Sequence, residues 1–144
     1  MSNLFACGPA LITRIAAQVP TLAHVSDVSG LEPFENGPPL PAVVIMPDSA
    51  EAQGNPDDGD IQRESQRWQL VLMVDHHQSD AGDMSTVEQA GELLHQLLTG
   101  LIGWRPASGY SACRYAGRAE PYYEPGYAEF PVYIETGLLI AGGA

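Results

Sequence analysis

The residues best placed by type to do chemistry are Asp75, His76 and His77, followed by Asp80 and Asp83. Imidazoles and carboxylates at this density are the raw material of a divalent-cation site, since zinc takes histidine nitrogens and carboxylate oxygens. The spacing argues against one. Neighbouring residues of an extended chain point to opposite faces, so His76 and His77 diverge, and no second ligand cluster follows at helical or hairpin spacing. The reading is a hydrophilic elbow ahead of a helix, with no metal ligand assigned.

Asn55-Pro56-Asp57-Asp58-Gly59-Asp60 invites calcium. An EF-hand loop needs oxygen ligands at alternating positions before its glycine and a glutamate six residues after it. Pro56 occupies a ligand position and Ser65 stands where the glutamate belongs, so the match fails. Cys113 has Arg114 beside it but no histidine near in sequence, which leaves no base to activate the thiol. Gly91, Gly100 and Gly103 lack the Lys-Ser/Thr of a phosphate loop. His24 and His95 stand singly. No catalytic residue, cofactor or metal site is expected.

Composition narrows the function classes further. The chain has 144 residues and 44% hydrophobic residues, which suits a single globular domain spanning 1–144. No apolar run approaches the roughly 18–20 residues that a membrane-spanning helix needs. The N-terminus has neither the basic start nor the apolar stretch of a secretory signal. Cys7 and Cys113 are the only cysteines, which fits reduced thiols in a protein assembled in the cytosol rather than a disulfide framework. The formal net charge is −12, with 18 acidic and 6 basic residues and no lysine. Tight grip on nucleic acid needs cations that displace phosphate counterions, so a groove that holds DNA or RNA tightly is not expected, whereas a surface that lets DNA pass stays open. Tyr115, Tyr122, Tyr123, Tyr127 and Tyr133 suit sheet packing and subunit contact, where tyrosine is enriched.

The elements that must position these residues follow from periodicity. Leu11, Ile12, Ile15, Ala16 and Val19 recur at helical spacing over residues 9–19, with Pro9 tolerated in the first turn and Pro20 ending the run. Leu22–Val28 alternates weakly, as a short strand. Glu32–Pro41 is too rich in proline for a helix or central strand and reads as an extended connector. Ala42–Met46 is a buried-type strand that Pro47 should stop. Asp48–Asp60 has no large apolar residue and reads as a flexible acidic loop. Trp68, Leu70, Leu72 and Val74 then share one face of a long central strand, with Gln69, Val71, Met73 and Asp75 on the other.

Ser85 and Glu88 form a capping box for a second helix whose buried stripe is Val87, Ala90, Leu94, Leu97, Leu98 and Leu101. Gly103 suits its C-terminal cap and Pro106 bars continuation. Arg114–Tyr123 and Tyr127–Leu139 make a hairpin about Glu124-Pro125-Gly126. Ala128, Phe130, Val132 and Ile134 should face the core, with Tyr127, Glu129, Tyr133 and Glu135 outward. Pro131, lacking an amide donor, requires a sheet edge or an orientation away from its neighbour. A two-residue turn would put Tyr115, Gly117 and Ala119 on the core face; a three-residue turn would invert them. The fold class is α+β: one antiparallel or mixed sheet of about four to five strands, with two helices packed on one face.

In this order the chain resembles the tail terminator proteins of long-tailed bacteriophages. The residues that carry the likeness are the Pro9–Val19 helix, the Pro41-Ala42-Val43-Val44-Ile45 strand and the acidic loop after it. The Arg67-Trp68-Gln69-Leu70-Val71 strand, the Ala90-Gly91-Glu92-Leu93-Leu94 helix closing on Gly103-Trp104-Arg105-Pro106, and the Glu120-Pro121-Tyr122-Tyr123 hairpin complete it. The resemblance implies a virion protein of the tail or neck and a homo-oligomeric ring, in that family hexameric. Such a ring stops growth of the tail tube and docks the tail to the head-tail connector. The tail-tube protein and the connector or neck protein are the implied partners, with DNA passing through and no membrane, cofactor or catalytic residue involved.

On that reading Asp57, Asp58, Asp60, Tyr122, Tyr123 and Tyr127 are candidate interface residues, and Gln69, Glu129 and Glu135 face the channel. The alternatives are a neck or tail-completion adaptor at the head-tail interface and, from another class, a small α+β metal-binding or enzymatic domain.

Overall fold

The computed structural model describes residues 3–54, 60–76 and 84–142. The first helix, α1 (Cys7–Gln18), is followed by strand β1 (His24–Asp27) and a 3-10 turn at Val28–Leu31. Strands β2 (Ala42–Gly54) and β3 (Ile61–His76) lead to helix α2 (Ser85–Leu101), then β4 (Arg114–Arg118), β5 (Tyr122–Glu124) and β6 (Gly126–Ala141). The sheet has six strands in the order β1-β2-β3-β6-β4, with β5 also on β6. It is mixed: β1 runs parallel to β2 and every other pair is antiparallel. The α+β class and the two helices are as expected, while the sheet holds one or two strands more. The surplus arises because the last-third hairpin has a first arm broken into β4 and β5.

Alternation on β3 and β6 places the core. Trp68, Leu70, Leu72 and Val74 are buried, as are Ala128, Phe130, Val132 and Ile134. They pack with Leu11, Ile15 and Val19 of the first helical segment and Ala90, Leu94, Leu97 and Leu101 of α2. Ile12, Val87 and Leu98 are only half-buried and Ala16 is exposed, so the real stripes are narrower than the apolar residues suggest. The helices meet at Gly100, which lies against Gln18 and whose carbonyl accepts a 2.9 Å bond from Arg14 Nε. Buried Gln66 ties the N-terminal segment down, donating to the Leu4 carbonyl at 2.7 Å and accepting from the Trp68 indole at 3.2 Å.

Several local expectations change. Pro47 does not stop β2, because the register slips between Pro47 and Ser49 and pairing with β3 resumes through Gly54. Pro47 lies just past the end of β1, whose last partner is Ile45, and an edge strand tolerates a proline and a bulge where a central one does not. The expected loop at 48–60 is therefore strand over 48–54. Asn55 to Gly59, including Asp57 and Asp58, lie outside the described residues.

The expected Ser85 cap is displaced by one residue. The Glu88 amide donates to the Met84 carbonyl at 2.8 Å, so Met84 is the cap and Ser85 opens the first turn. Gly103 does take the left-handed conformation expected after the helix, at φ 85°.

The C-terminal hairpin has the two-residue turn, since Glu124 pairs with Tyr127. Tyr115 accordingly opposes Ile134 on the helix side, but a bulge follows and Arg118, not Gly117, opposes Val132. Gly117 supplies the positive φ of that bulge, 98°. Pro131 is in a central strand, which its missing amide allows. Its carbonyl accepts from Ala119 at 3.2 Å, so its nitrogen points to the same side, where β4 and β5 are interrupted. No bond to β3 is lost.

Candidate assembly surfaces

The face of the sheet turned away from the helices carries all three residues expected to line a channel. Gln69 stands opposite Tyr133 and donates to its hydroxyl at 3.4 Å; Glu129 stands opposite Met73, and Glu135 opposite Arg67. Glu135 is not a free acid. Arg67 Nη2 lies 3.0 Å from one carboxylate oxygen and Arg114 Nη2 2.9 Å from the other. These bonds, led by Arg114, hold the Glu135 carboxyl below its usual pKa. The same Arg67 stacks over Tyr133, 5.4 Å from the ring centre. Beside the trio, Ser65, Ser111 and the bare backbone of Gly137 floor a depression of about 140 Å³.

The interface candidates do not form one surface. Tyr122 and Tyr127 are on the outer face, with ring centres 6.5 Å apart, and the Tyr122 hydroxyl donates to Glu124 at 2.7 Å. Burial, then the bond to Glu124, pushes the Tyr127 phenol up to about 12. Tyr123 pairs with Ala128 and so points to the helix side, edge-on to Phe130 at 5.9 Å. Asp60 is exposed at the start of β3, its carbonyl bonded to the Gly142 amide.

Two neighbouring grooves of about 320 and 330 Å³ flank Phe5 on the helix side and share Pro47 and Trp68. Phe5 is 58% exposed, although its ring stands edge-on to Trp68 at 6.5 Å. The grooves adjoin the part of β2 past Ile45, which has β3 on one side and, among the described residues, no strand on the other.

Among the described chemical candidates, His76 and the two cysteines pack against neighbouring side chains. His76 Nδ1 is 3.0 Å from the Thr86 hydroxyl and its ring is 5.3 Å from Tyr123. No group of metal-ligating side chains occurs among the described residues, and His77, Asp80 and Asp83 lie outside them. Cys7 and Cys113 are buried in the same core, and burial pushes their thiols up to about 12 and about 11. Such thiols stay protonated and unreactive at neutral pH. No helix among the described residues is long and apolar enough to cross a membrane.

Sequence reasoning passed over Arg63, Arg114 and Arg118. A signal was present: Leu93 to Ala119 contains Arg105, Arg114 and Arg118 and no acid, while no lysine or arginine falls between Arg14 and Arg63.

Fold and surfaces together define an α+β subunit of one mixed sheet backed by two helices. The chain matches the phage tail terminator protein family over residues 1–140 and belongs to it. It is thus a structural protein of the phage tail. A chain in the virion of a native gene transfer agent particle shares its fold, with a TM-score of 0.60 at 12% identity over 96% of this chain and 100% of that one. Comparison with curated proteins gives no match.

Proposed function

We propose that this chain, as a single domain, forms a closed ring of identical subunits, six in number, that caps the tail tube. The ring halts tube polymerisation and presents its other side to the head-tail connector. The observation that carries this reading is the family match across residues 1–140. Supporting it, the outer face of the sheet is mixed, setting Gln69, Glu129 and the paired Glu135 among Val71, Met73 and Pro131, and its polar residues suit the lining of a passage. The net charge of −12 suits a wall that DNA passes without adhering. Interface roles for Asp57, Asp58, Asp60, Tyr122, Tyr123 and Tyr127 belong to the same proposal, with Tyr123 contributing from the helix side.

Negative-stain imaging of purified tail tubes from the same particle, with and without this protein, tests the reading. Capped ends and tubes of uniform length are expected. Tubes that stay uncapped at saturating protein would refute it, and preferential binding to the isolated connector would assign the neck-adaptor role instead.

A further inference from the structure

The two lateral edges of the sheet carry opposite charge at the same levels. One ladder row runs from Asp27 through Ile45, Leu70 and Val132 to Arg118, a complete crossing from β1 to β4. Another runs from Ser49, with Asp48 beside it at the bulge, through Arg67 and Glu135 to Arg114. In each row the acid stands at the β1–β2 edge and the arginine at the β4 edge. Glu51, one outer-face position further along β2, is exposed and makes no ion pair among the described residues. Arg114 keeps a side-chain exposure of 69% despite its contact with Glu135, and Arg118 is exposed. Glu120 and Glu124 lie further along, by β5, so the basic stretch of that edge is 105–118.

This distribution decides how copies meet. A two-fold contact of β2 edge on β2 edge would bring Asp48 and Glu51 of both copies together, and β4 on β4 would oppose arginines; like charges in register repel. Only a head-to-tail contact sets acid against arginine, and repetition of a head-to-tail contact generates a ring when its rotation closes. Past Ile45, β2 has no strand on its outer side among the described residues, so its backbone groups there are open to an added strand or loop. Resting on the ring reading above, we infer that the acidic β1–β2 edge of one subunit docks on the basic β4 edge of the next, Asp27 facing Arg118 and Asp48 facing Arg114.

Charge swapping tests the inference. One variant carries Asp27→Arg with Asp48→Arg, the other Arg114→Glu with Arg118→Glu; circular dichroism and thermal melting establish that each is folded. By native mass spectrometry and sedimentation each variant alone is expected to stay monomeric where the parent assembles. An equimolar mixture should assemble again, with the variants alternating and only even numbers of copies present. The single changes Asp27→Arg and Arg118→Glu, which stand in one row and leave the Glu135 contacts intact, serve if a double variant does not fold.

Variants that assemble alone like the parent, or a mixture that stays monomeric, would overturn the edge pairing. Unimpaired assembly of the arginine variant with altered retention on duplex DNA would assign those arginines to phosphate contact instead. A parent that never assembles and leaves tubes uncapped sinks the ring itself, an outcome distinct from a parent that assembles but ignores the swap.

Discussion

Arg67 and Glu135 face each other across the central strand pair at 3.0 Å, and the second carboxylate oxygen of Glu135 is held by Arg114. Three strands are thereby clamped on the face away from the helices. The carboxyl is held below its usual pKa by Arg114 first, then by Arg67. A group so lowered contributes stability that is present above its unfolded value, about 4.3. That stability is lost as pH falls through the folded value. Glu135→Gln should therefore cost about 0.5–1 kcal/mol at pH 7, the exposure of both arginines keeping it near that of a surface pair. The deficit should shrink below about pH 4. Urea unfolding at a series of pH values checks the sign; a deficit that grew toward acid would contradict it.

Two glycines of the second helix should respond oppositely to alanine. At Gly100 an added Cβ would come within 2.6 Å of Gln18 Cγ and 2.9 Å of its Cβ, where the two helices touch. At Gly91 it would meet nothing within 4 Å. Gly91→Ala should stabilise by up to about 1 kcal/mol through helix propensity. Gly100→Ala should destabilise by about 1–3 kcal/mol, overpacking outweighing that gain. Melting curves of both variants decide it.

Core and surface leucine-type residues of the same helix region should separate cleanly. Leu97 is 2% exposed within the core and Ile102 is 53% exposed at the helix end. Leu97→Ala should cost about 2–5 kcal/mol in chemical denaturation, and Ile102→Ala should stay within about 0.5 kcal/mol.

The two thiols should be silent until the chain opens. With Cys7 up at about 12 and Cys113 at about 11, a thiol reagent at pH 8 should label neither at an appreciable rate in native protein. In denaturant both should react at once. Fast labelling of one cysteine in the native state would show that its site is open.

How far the sequence could be read depended on whether one face of an element was apolar. Trp68 to Val74 and Ala128 to Ile134 each hold an apolar residue at every inward position, so both strands and their buried faces were legible. The 48–54 stretch was not, because Asp48 to Gly54 is exposed on both faces and has no pattern to declare it a strand. Its conformation is imposed by the ladder to residues 62–67, which are themselves paired with β6. Gln69, Glu129 and Glu135 were placed on the outer face by parity alone. That two arginines neutralise Glu135 was hidden, since Arg114 is 21 residues away and is brought there by a bulged edge strand.

The sequence by itself determined the secondary structure of the well-patterned elements, the inward faces of β3 and β6 and the α+β class. Each follows from local periodicity or residue inventory. Tertiary structure alone decided the strand order, the parallel seating of β1, the passage of β2 through Pro47 and the neighbourhood of Cys7 and Cys113. It also decided that acids at 27 and 48 and arginines at 114 and 118 end up on opposite edges of one sheet. Those facts depend on which distant strands pair and in what register, and pairing is settled by the burial of whole faces rather than by any residue's own preference.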